Sequence, residues 1–255
     1  MIELPTTPSF RLDNREALVT GAYGSIGLGC SVALAEAGAN VTISGKNNDK
    51  LNEVVGALSK KGFSVQKLLL DISDINSVRK IIDRKGPFDI LVNSAGIAKH
   101  SKSLDTKQND YNKVMDINTK SAYFLTQAVA KGLIKNNKPG SLINISSQMG
   151  HVGGIDRAVY SASKHAMEGF TKSMAIEFGK HKIRVNTICP TFIKSNLTSK
   201  SLKDEKIRKW INSNIKLNRL AEVNDIMGAV IFLSSDASNM ITGSSLMIDG
   251  GWTAG

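Results

Sequence analysis

"EALVTGAYGSIGLGCSVALAEAG", residues 16–38, decides how the chain is read. A short apolar run of strand type enters a glycine-rich turn, and the turn opens into a segment whose apolar positions recur at helical spacing. Gly21 and Gly27 free the backbone to turn sharply and to come close to a ligand. The helix that follows offers unpaired N–H groups and the positive end of its dipole, which together suit a pyrophosphate. A glycine turn alone is often no more than a tight turn, but strand, turn and helix in this order favour a dinucleotide.

The pattern continues outward. Further strand-like runs are "NVTIS" at 40–44, "SVQKLLLD" at 64–71, "DILVN" at 89–93, "SLINIS" at 141–146, "IRVNTI" at 183–188 and "SLMID" at 245–249, with helical patterns between them. Strands buried on both faces and joined by helical crossovers make a parallel sheet with helices on each side, so a doubly wound α/β fold is expected. No internal repeat, low-complexity tract or Gly/Ser/Pro-rich linker divides the 255 residues, and one domain over 1–255 is expected. The Lys-rich stretch 194–220 stands out as an insertion. Leu197, Leu202, Ile207, Trp210 and Ile211 lie at near-helical spacing within it, which predicts a small helical lid that is loosely held over the crevice.

Composition excludes several classes. With 41% hydrophobic and 22% charged residues the chain can bury a large core, and no apolar run approaches membrane-spanning length. The net charge of +11 is scattered among acidic residues through the helical segments, without zinc-finger spacing or an RNA-recognition aromatic motif. That pattern speaks against a nucleic-acid or membrane partner and leaves a small anionic molecule. Cys30 and Cys189 sit in apolar segments, not at metal-like spacings, so they read as core thiols; no metal is expected, and the cytoplasm is the expected compartment.

Two local features carry chemistry. After the second strand, where a dinucleotide site commonly places a carboxylate for the ribose 2′-hydroxyl, stand Gly45 and Lys46. A small residue and a cation admit a 2′-phosphate, so NADP(H) is favoured, with NAD(H) as the alternative. In "YSASK", Tyr160 and Lys164 are four residues apart on a helical pattern and so share one helix face. A phenol titrates near 10 and needs help to act at neutral pH; a neighbouring ammonium is expected to pull Tyr160 downward.

These motifs, in order, resemble the short-chain dehydrogenase/reductase family across essentially the whole chain, with 3-oxoacyl-ACP reductases and sugar-alcohol dehydrogenases as the nearest types. "TGAYGSIG" at 20–27 resembles the TGxxxGxG loop, "LLLDI" the acidic turn beside adenine, "NSAG" at 93–96 the NNAG strand end, and "RVNTICPTFIKS" the RVNxxxPGxxxT segment. "ITGSSLMIDGGWTAG" is similar to the family's closing strand and C-terminus. Ser147 precedes Tyr160 by thirteen residues, the family spacing. The resemblance implies a Rossmann fold, a homo-oligomer (tetramer or dimer), and a catalytic tetrad of Asn118, Ser147, Tyr160 and Lys164, with Asn118 organising a water chain to Lys164.

It also implies cofactor contacts from Gly21, Tyr23, Ser25, Ile26 and Gly27 in the first loop, from Gly45, Lys46, Asp71 and Ile72 near the adenosine, and from Asn93, Ala95 and Gly96 after the fourth strand. Tyr160, Lys164, Pro190, Thr191, Ile193 and Ser195 complete that set. The chain departs from the pattern at Ser25, Ser94, Thr191 and Ser195, none of which removes a catalytic group. Gln148, His151, Arg157 and Lys194 are the expected substrate contacts, and their cations suit an acidic or polyhydroxy molecule. The expected activity is oxidoreduction between a carbonyl and a secondary alcohol. Alternatives are a dinucleotide-binding sensor without turnover and, within enzymes, epimerisation or dehydration of a nucleotide sugar.

Overall fold

A computed structural model describes residues 2–194, 198 and 203–255. Seven parallel strands form one sheet: β1 (Glu16–Thr20), β2 (Asn40–Gly45), β3 (Val65–Leu69), β4 (Ile90–Asn93), β5 (Gly140–Ile145), β6 (Ile183–Pro190) and β7 (Ser245–Ile248). Their order is β3-β2-β1-β4-β5-β6-β7, all pairs parallel, so the winding reverses between β1 and β4. This is the doubly wound arrangement expected from the alternating runs, and a reversal point opens a crevice beyond the carboxyl ends of the strands.

Side chains alternate across the sheet and feed two separate cores. Val19, Ile43, Val92 and Ile143 face α1 (Ser25–Glu36), α2 (Asn48–Lys60) and α8 (Asn224–Ser234). Leu18, Leu91, Leu142 and Val185 face α3 (Ile75–Lys85), α5 (Ala122–Lys135) and α6 (Ala158–Phe178) on the other side. The central strands β4 and β5 are buried on both faces, as a covered parallel sheet requires. The edge strand β3 is not: Leu68 and Leu70 are buried while Leu69 between them is exposed, because α2 meets that face at Val65 and Lys67 and leaves Leu69 open.

Local sequence sets the helix starts. The Asn47 side chain accepts from Lys50 N at 3.0 Å to begin α2, and Asp74 accepts from Ser77 N at 3.0 Å to begin α3. One helix departs from the regular form. Between α4 (Gln108–Met115) and α5 the chain makes a π-helical turn, Asp116–Ser121, which carries Asn118.

A third, smaller core lies at the carboxyl end. Met149, Phe192, Ile211, Ile215 and Trp252 are buried together, with Ile207 and Trp210 against them. Ile207, Trp210 and Ile211 belong to α7 (Glu205–Asn214), whose start is capped by Asp204. The helix in the insertion is therefore amphipathic as expected, but it is not loosely laid on a rim. Trp210 meets Trp252 edge-on at 5.0 Å between ring centroids and Phe192 at 6.3 Å, an aromatic seat of the kind that adds to simple area burial. Leu197 and Leu202 lie outside the described residues.

Replacing Leu142, fully buried in the middle of the sheet, by Ala should lower unfolding free energy by about 2–5 kcal/mol in urea titrations. The same change at exposed Leu69 should remove under about 1 kcal/mol, since little apolar area is at stake.

Candidate active site

The strand ends supply a polar floor. Thr20 Oγ1 donates to Asn93 Oδ1 (3.1 Å), Asn93 Nδ2 donates to Asn144 Oδ1 (3.2 Å), and Asn144 Nδ2 donates to Thr171 Oγ1 (3.1 Å). Thr20 Oγ1 in turn accepts from Ala95 N at 3.3 Å. The Asn93 side chain is thus spent inside the protein, tying β1 to β4 and β5, and it does not reach the cleft above as a cofactor contact would. Its position in the "NSAG" motif has a structural reason here.

Above the floor are two clefts. The larger, about 1170 Å³, is lined by Gly21, Tyr23, Gly45, Lys46, Asp71, Ile72, Ala95 and Gly96, all of them sequence candidates, and by Ser44, Lys113 and Ile117, which were not. Gly21 has φ +64°, and a Cβ there would come within 2.9 Å of Ala95 Cα. Both the turn and its close approach to β4 need glycine. Gly27 plays a different part: a Cβ on it would collide with the Gly21 carbonyl oxygen, so its bareness lets α1 begin against the turn, and it does not line a cleft. The Ser25 side chain is also away from both clefts, exposed on the first turn of α1, so its hydroxyl does not replace the family glycine as a ligand contact in this geometry. Tyr23 lays its ring against Gly45, with Lys50 Nζ 5.5 Å from the ring centroid. Asp71 is held below the usual carboxylate range, first by hydrogen bonds from Ser73 and then by the charge of Lys46.

The smaller cleft, about 610 Å³, gathers Ile26, Ser147, Gln148, Arg157, Tyr160, Pro190, Thr191 and Ile193. It also includes Ala98, His100, Phe192 and Thr198. Ser147 lies just past the end of β5, with its Oγ accepting from Met149 N at 3.1 Å. Tyr160 and Lys164 lie one turn apart on α6, Lys164 Nζ 5.8 Å from the Tyr160 ring centroid. Lys164 is buried, and its Nζ donates to the Ile145 carbonyl at 2.8 Å. Desolvation brings that ammonium down to about 8, partly offset by the negative character of Cys189 and Glu168.

The phenol moves opposite to expectation. Burial pushes Tyr160 up; the opposing influences are a hydrogen bond with Ser147 and the guanidinium of Arg157. Arg157, from the turn before the helix, is thus a cation that opposes the effect of burial on the phenol, in addition to Lys164 beside the same ring. Asn118 is fully buried with both amide hydrogens committed, to Ile97 O (2.9 Å) and Ser163 Oγ (3.1 Å), while its Oδ1 accepts from Ile97 N (2.9 Å). Its side chain clasps the loop after β4; only the second lone pair of Oδ1 is left for a water.

Of the four expected substrate contacts, Gln148 and Arg157 line the smaller cleft and two do not. His151 points to Glu168 and Cys189, and Lys194 is exposed beside the Ile193–Ala221 bridge. Ser195 lies outside the described residues. The titratable residue of the smaller cleft missed from sequence is His100: it lines the cleft, meets the Tyr160 ring edge-on at 6.2 Å, and is pushed down to about 4 by burial and by Arg157, so its imidazole is neutral at physiological pH. No motif marks it, though it follows "NSAG" by four residues. Among the buried hydroxyls without a hydrogen-bond partner among the described residues, Ser44 Oγ belongs to a residue lining the larger cleft and Ser146 Oγ and Thr191 Oγ1 to residues lining the smaller. Buried polar atoms of this kind call for a ligand or water.

A family model described as Enoyl-(Acyl carrier protein) reductase matches residues 21–253. The chain is 36% identical over 245 residues to the D-erythrulose reductase of Gallus gallus, covering 96% of this chain and 98% of that protein. It is also 36% identical over 250 residues to the 2-dehydro-3-deoxy-D-gluconate 5-dehydrogenase of Dickeya dadantii, covering 96% and 98%. The crystal structure of a gluconate 5-dehydrogenase from Burkholderia cenocepacia in complex with NADP and tartrate superposes with a TM-score of 0.92 at 32% identity, over 96% of this chain and 98% of that one.

Proposed function

The chain belongs to the short-chain dehydrogenase/reductase family and is an oxidoreductase, and from that premise we propose that it interconverts a carbonyl and a secondary alcohol on a small polyhydroxy or acidic substrate, preferring NADP(H). The observation that carries this proposal is the meeting of Ser147, Tyr160 and Arg157 in one cleft beside a second cleft built from the glycine turn. The substrates in the relatives' names are sugars and sugar acids, and NADP is bound in the superposed structure.

The residues present fit a dinucleotide. Gly21 lets the turn close against Ala95 and line the larger cleft, Ser44 and Thr191 offer unpartnered hydroxyls, and the turn runs into the first residues of α1. Gly45 at the end of β2 seats the Tyr23 ring, Lys46 after it provides a cation for a 2′-phosphate, and Asp71 and Ile72 flank the same space. When bound, the nicotinamide supplies or accepts the hydride.

The chain's own part is the proton. In reduction, negative charge collects on the substrate oxygen, where Ser147 Oγ donates a hydrogen bond and Tyr160 gives up its phenolic proton. Because burial raises the phenol, Tyr160 stays protonated at neutral pH and is ready as the acid. The reverse direction needs phenolate, so alcohol oxidation should accelerate as pH rises while carbonyl reduction does not. Arg157 reaches the same cleft as a buried cation over the Phe192 ring (5.1 Å), suited to a substrate carboxylate or hydroxyl. α7 is seated through Trp210 on Trp252 and on Phe192, which lines this cleft, so it stands behind the cleft wall, where a lid would be anchored.

Tyr160→Phe should cut turnover by about 10²–10⁴ with cofactor affinity nearly intact, checked by steady-state rates at 340 nm beside fluorescence titration of the reduced cofactor. Rates within a few-fold of the parent protein would remove Tyr160 as the proton donor. Lys46→Ala should weaken NADP(H) on the order of tenfold while sparing NAD(H), as loss of one charge-assisted contact predicts. An unchanged ratio of the two affinities would mean that preference is set elsewhere. Tyr111 on α4, Tyr123 and Ile134 on α5, and Ile176 on α6 are exposed apolar side chains on helices that would pair between copies. Light scattering at micromolar concentration should accordingly give the mass of a dimer or tetramer, and a monomer's mass would rule that pairing out.

A further inference from the structure

Behind Lys164, on the side away from the clefts, three potential ligands converge from three elements. Cys189 lies on β6, Glu168 on α6 one turn after Lys164, and His151 just past the short turn that follows Ser147. Cys189 Sγ is 3.4 Å from Glu168 Oε1 and 3.6 Å from His151 Nε2, and His151 Nε2 is 3.6 Å from Glu168 Oε2. One donor atom from each residue falls within 4.8 Å of the other two. Zinc bond lengths of about 2.3 Å to sulfur and about 2.0–2.2 Å to nitrogen or oxygen place tetrahedral donors about 3.3–3.7 Å apart. The three separations match that size, two of them measured to different oxygens of the Glu168 carboxylate, and with a single oxygen all three donors stay within 4.8 Å.

We infer that His151, Glu168 and Cys189 form a site for a zinc-class divalent cation, with solvent in the fourth position. The donor set of thiolate, imidazole and carboxylate selects a borderline-soft ion over magnesium or calcium, which take oxygen. The supporting contacts are those expected around such a centre: Thr187 Oγ1 and Ser245 Oγ donate to Glu168 Oε2, at 2.9 and 2.6 Å, and fix the carboxylate. Glu168 is buried, its ion pair among the described residues is with the partly exposed His151, and the Lys164 ammonium one turn back on α6 also acts on it. The partial exposure of His151 also gives the ion a way in. On binding, Cys189 loses its thiol proton to water and becomes thiolate; His151 coordinates as neutral imidazole through Nε2. No oxidation state changes.

The ion would pin together the turn after Ser147, the helix carrying Tyr160 and Lys164, and the strand leading to Pro190 and Thr191. The competing account is that a proton on His151 and the thiol hydrogen satisfy Glu168 without metal. Tag-free protein stripped with a chelator and titrated with Co²⁺ decides between them. The expected result is saturation at one equivalent per chain with a sulfur-to-cobalt charge-transfer band, displaced by Zn²⁺, and a higher unfolding temperature for the loaded protein. Cys189→Ser should abolish the band, and His151→Ala, at a partly exposed position, should weaken binding by on the order of tenfold or more. Absence of saturable binding, or a band that survives Cys189→Ser, would overturn the site, and so would His151→Ala binding as tightly as the parent protein. The readout is independent of turnover, so failure of the oxidoreductase assignment would leave it standing.

Discussion

The side-chain ladder Thr20–Asn93–Asn144–Thr171 holds the carboxyl end of the sheet in one piece. Parallel strands buried on both faces have no solvent to meet their polar groups until they end, and there the first polar side chains pair with one another across β1, β4 and β5 and on to α6. Fully satisfied networks of this sort are stiff, and a single missing partner would leave a buried amide unpaired at a cost of about 1–3 kcal/mol. The stiffness matters because both clefts stand on it. Ala95, whose N–H ends the ladder, is the residue that Gly21 must approach, and Thr171 lies two turns beyond Lys164 on the helix that carries Tyr160.

Much of this was legible in the sequence for physical reasons that differ from element to element. β1, β4 and β5 announce themselves because burial on both faces demands unbroken apolar runs, and the expected strands agree with the observed ones to within a residue or two. β3 misleads slightly: "LLL" reads as fully covered, but at the sheet edge the cover on the α2 side is incomplete and Leu69 is left exposed. The π-turn at Asp116–Ser121 has no signature of its own, since one extra residue in a helix leaves the surrounding apolar pattern nearly unchanged.

The site was legible where spacing alone fixes geometry and obscure where electrostatics depends on packing. Four residues on a helix put Tyr160 and Lys164 on one face whatever the environment. How deeply each group is buried and how the turn before α6 folds cannot be read from spacing, and there Arg157 joins Lys164 beside the phenol. Asn93 and His151 show the same limit from the other side. Both sit in motifs near the crevice, and both turn inward because partners unseen in the local sequence, Asn144 for one and Glu168 with Cys189 for the other, lie there.

The aromatic seat under α7 has a practical consequence. The chain contains two tryptophans, and both belong to that cluster, Trp210 on the helix and Trp252 in the C-terminal turn, in contact with each other and with Phe192 on the cleft wall. Nearly all indole emission from this protein therefore originates at one spot, where the helix meets the body. Displacement of the helix would separate the two indoles and admit water to them, shifting their fluorescence to the red, while events in the distant sheet edge would pass unseen. The protein thus carries its own optical gauge of whether that helix is seated, with no label attached.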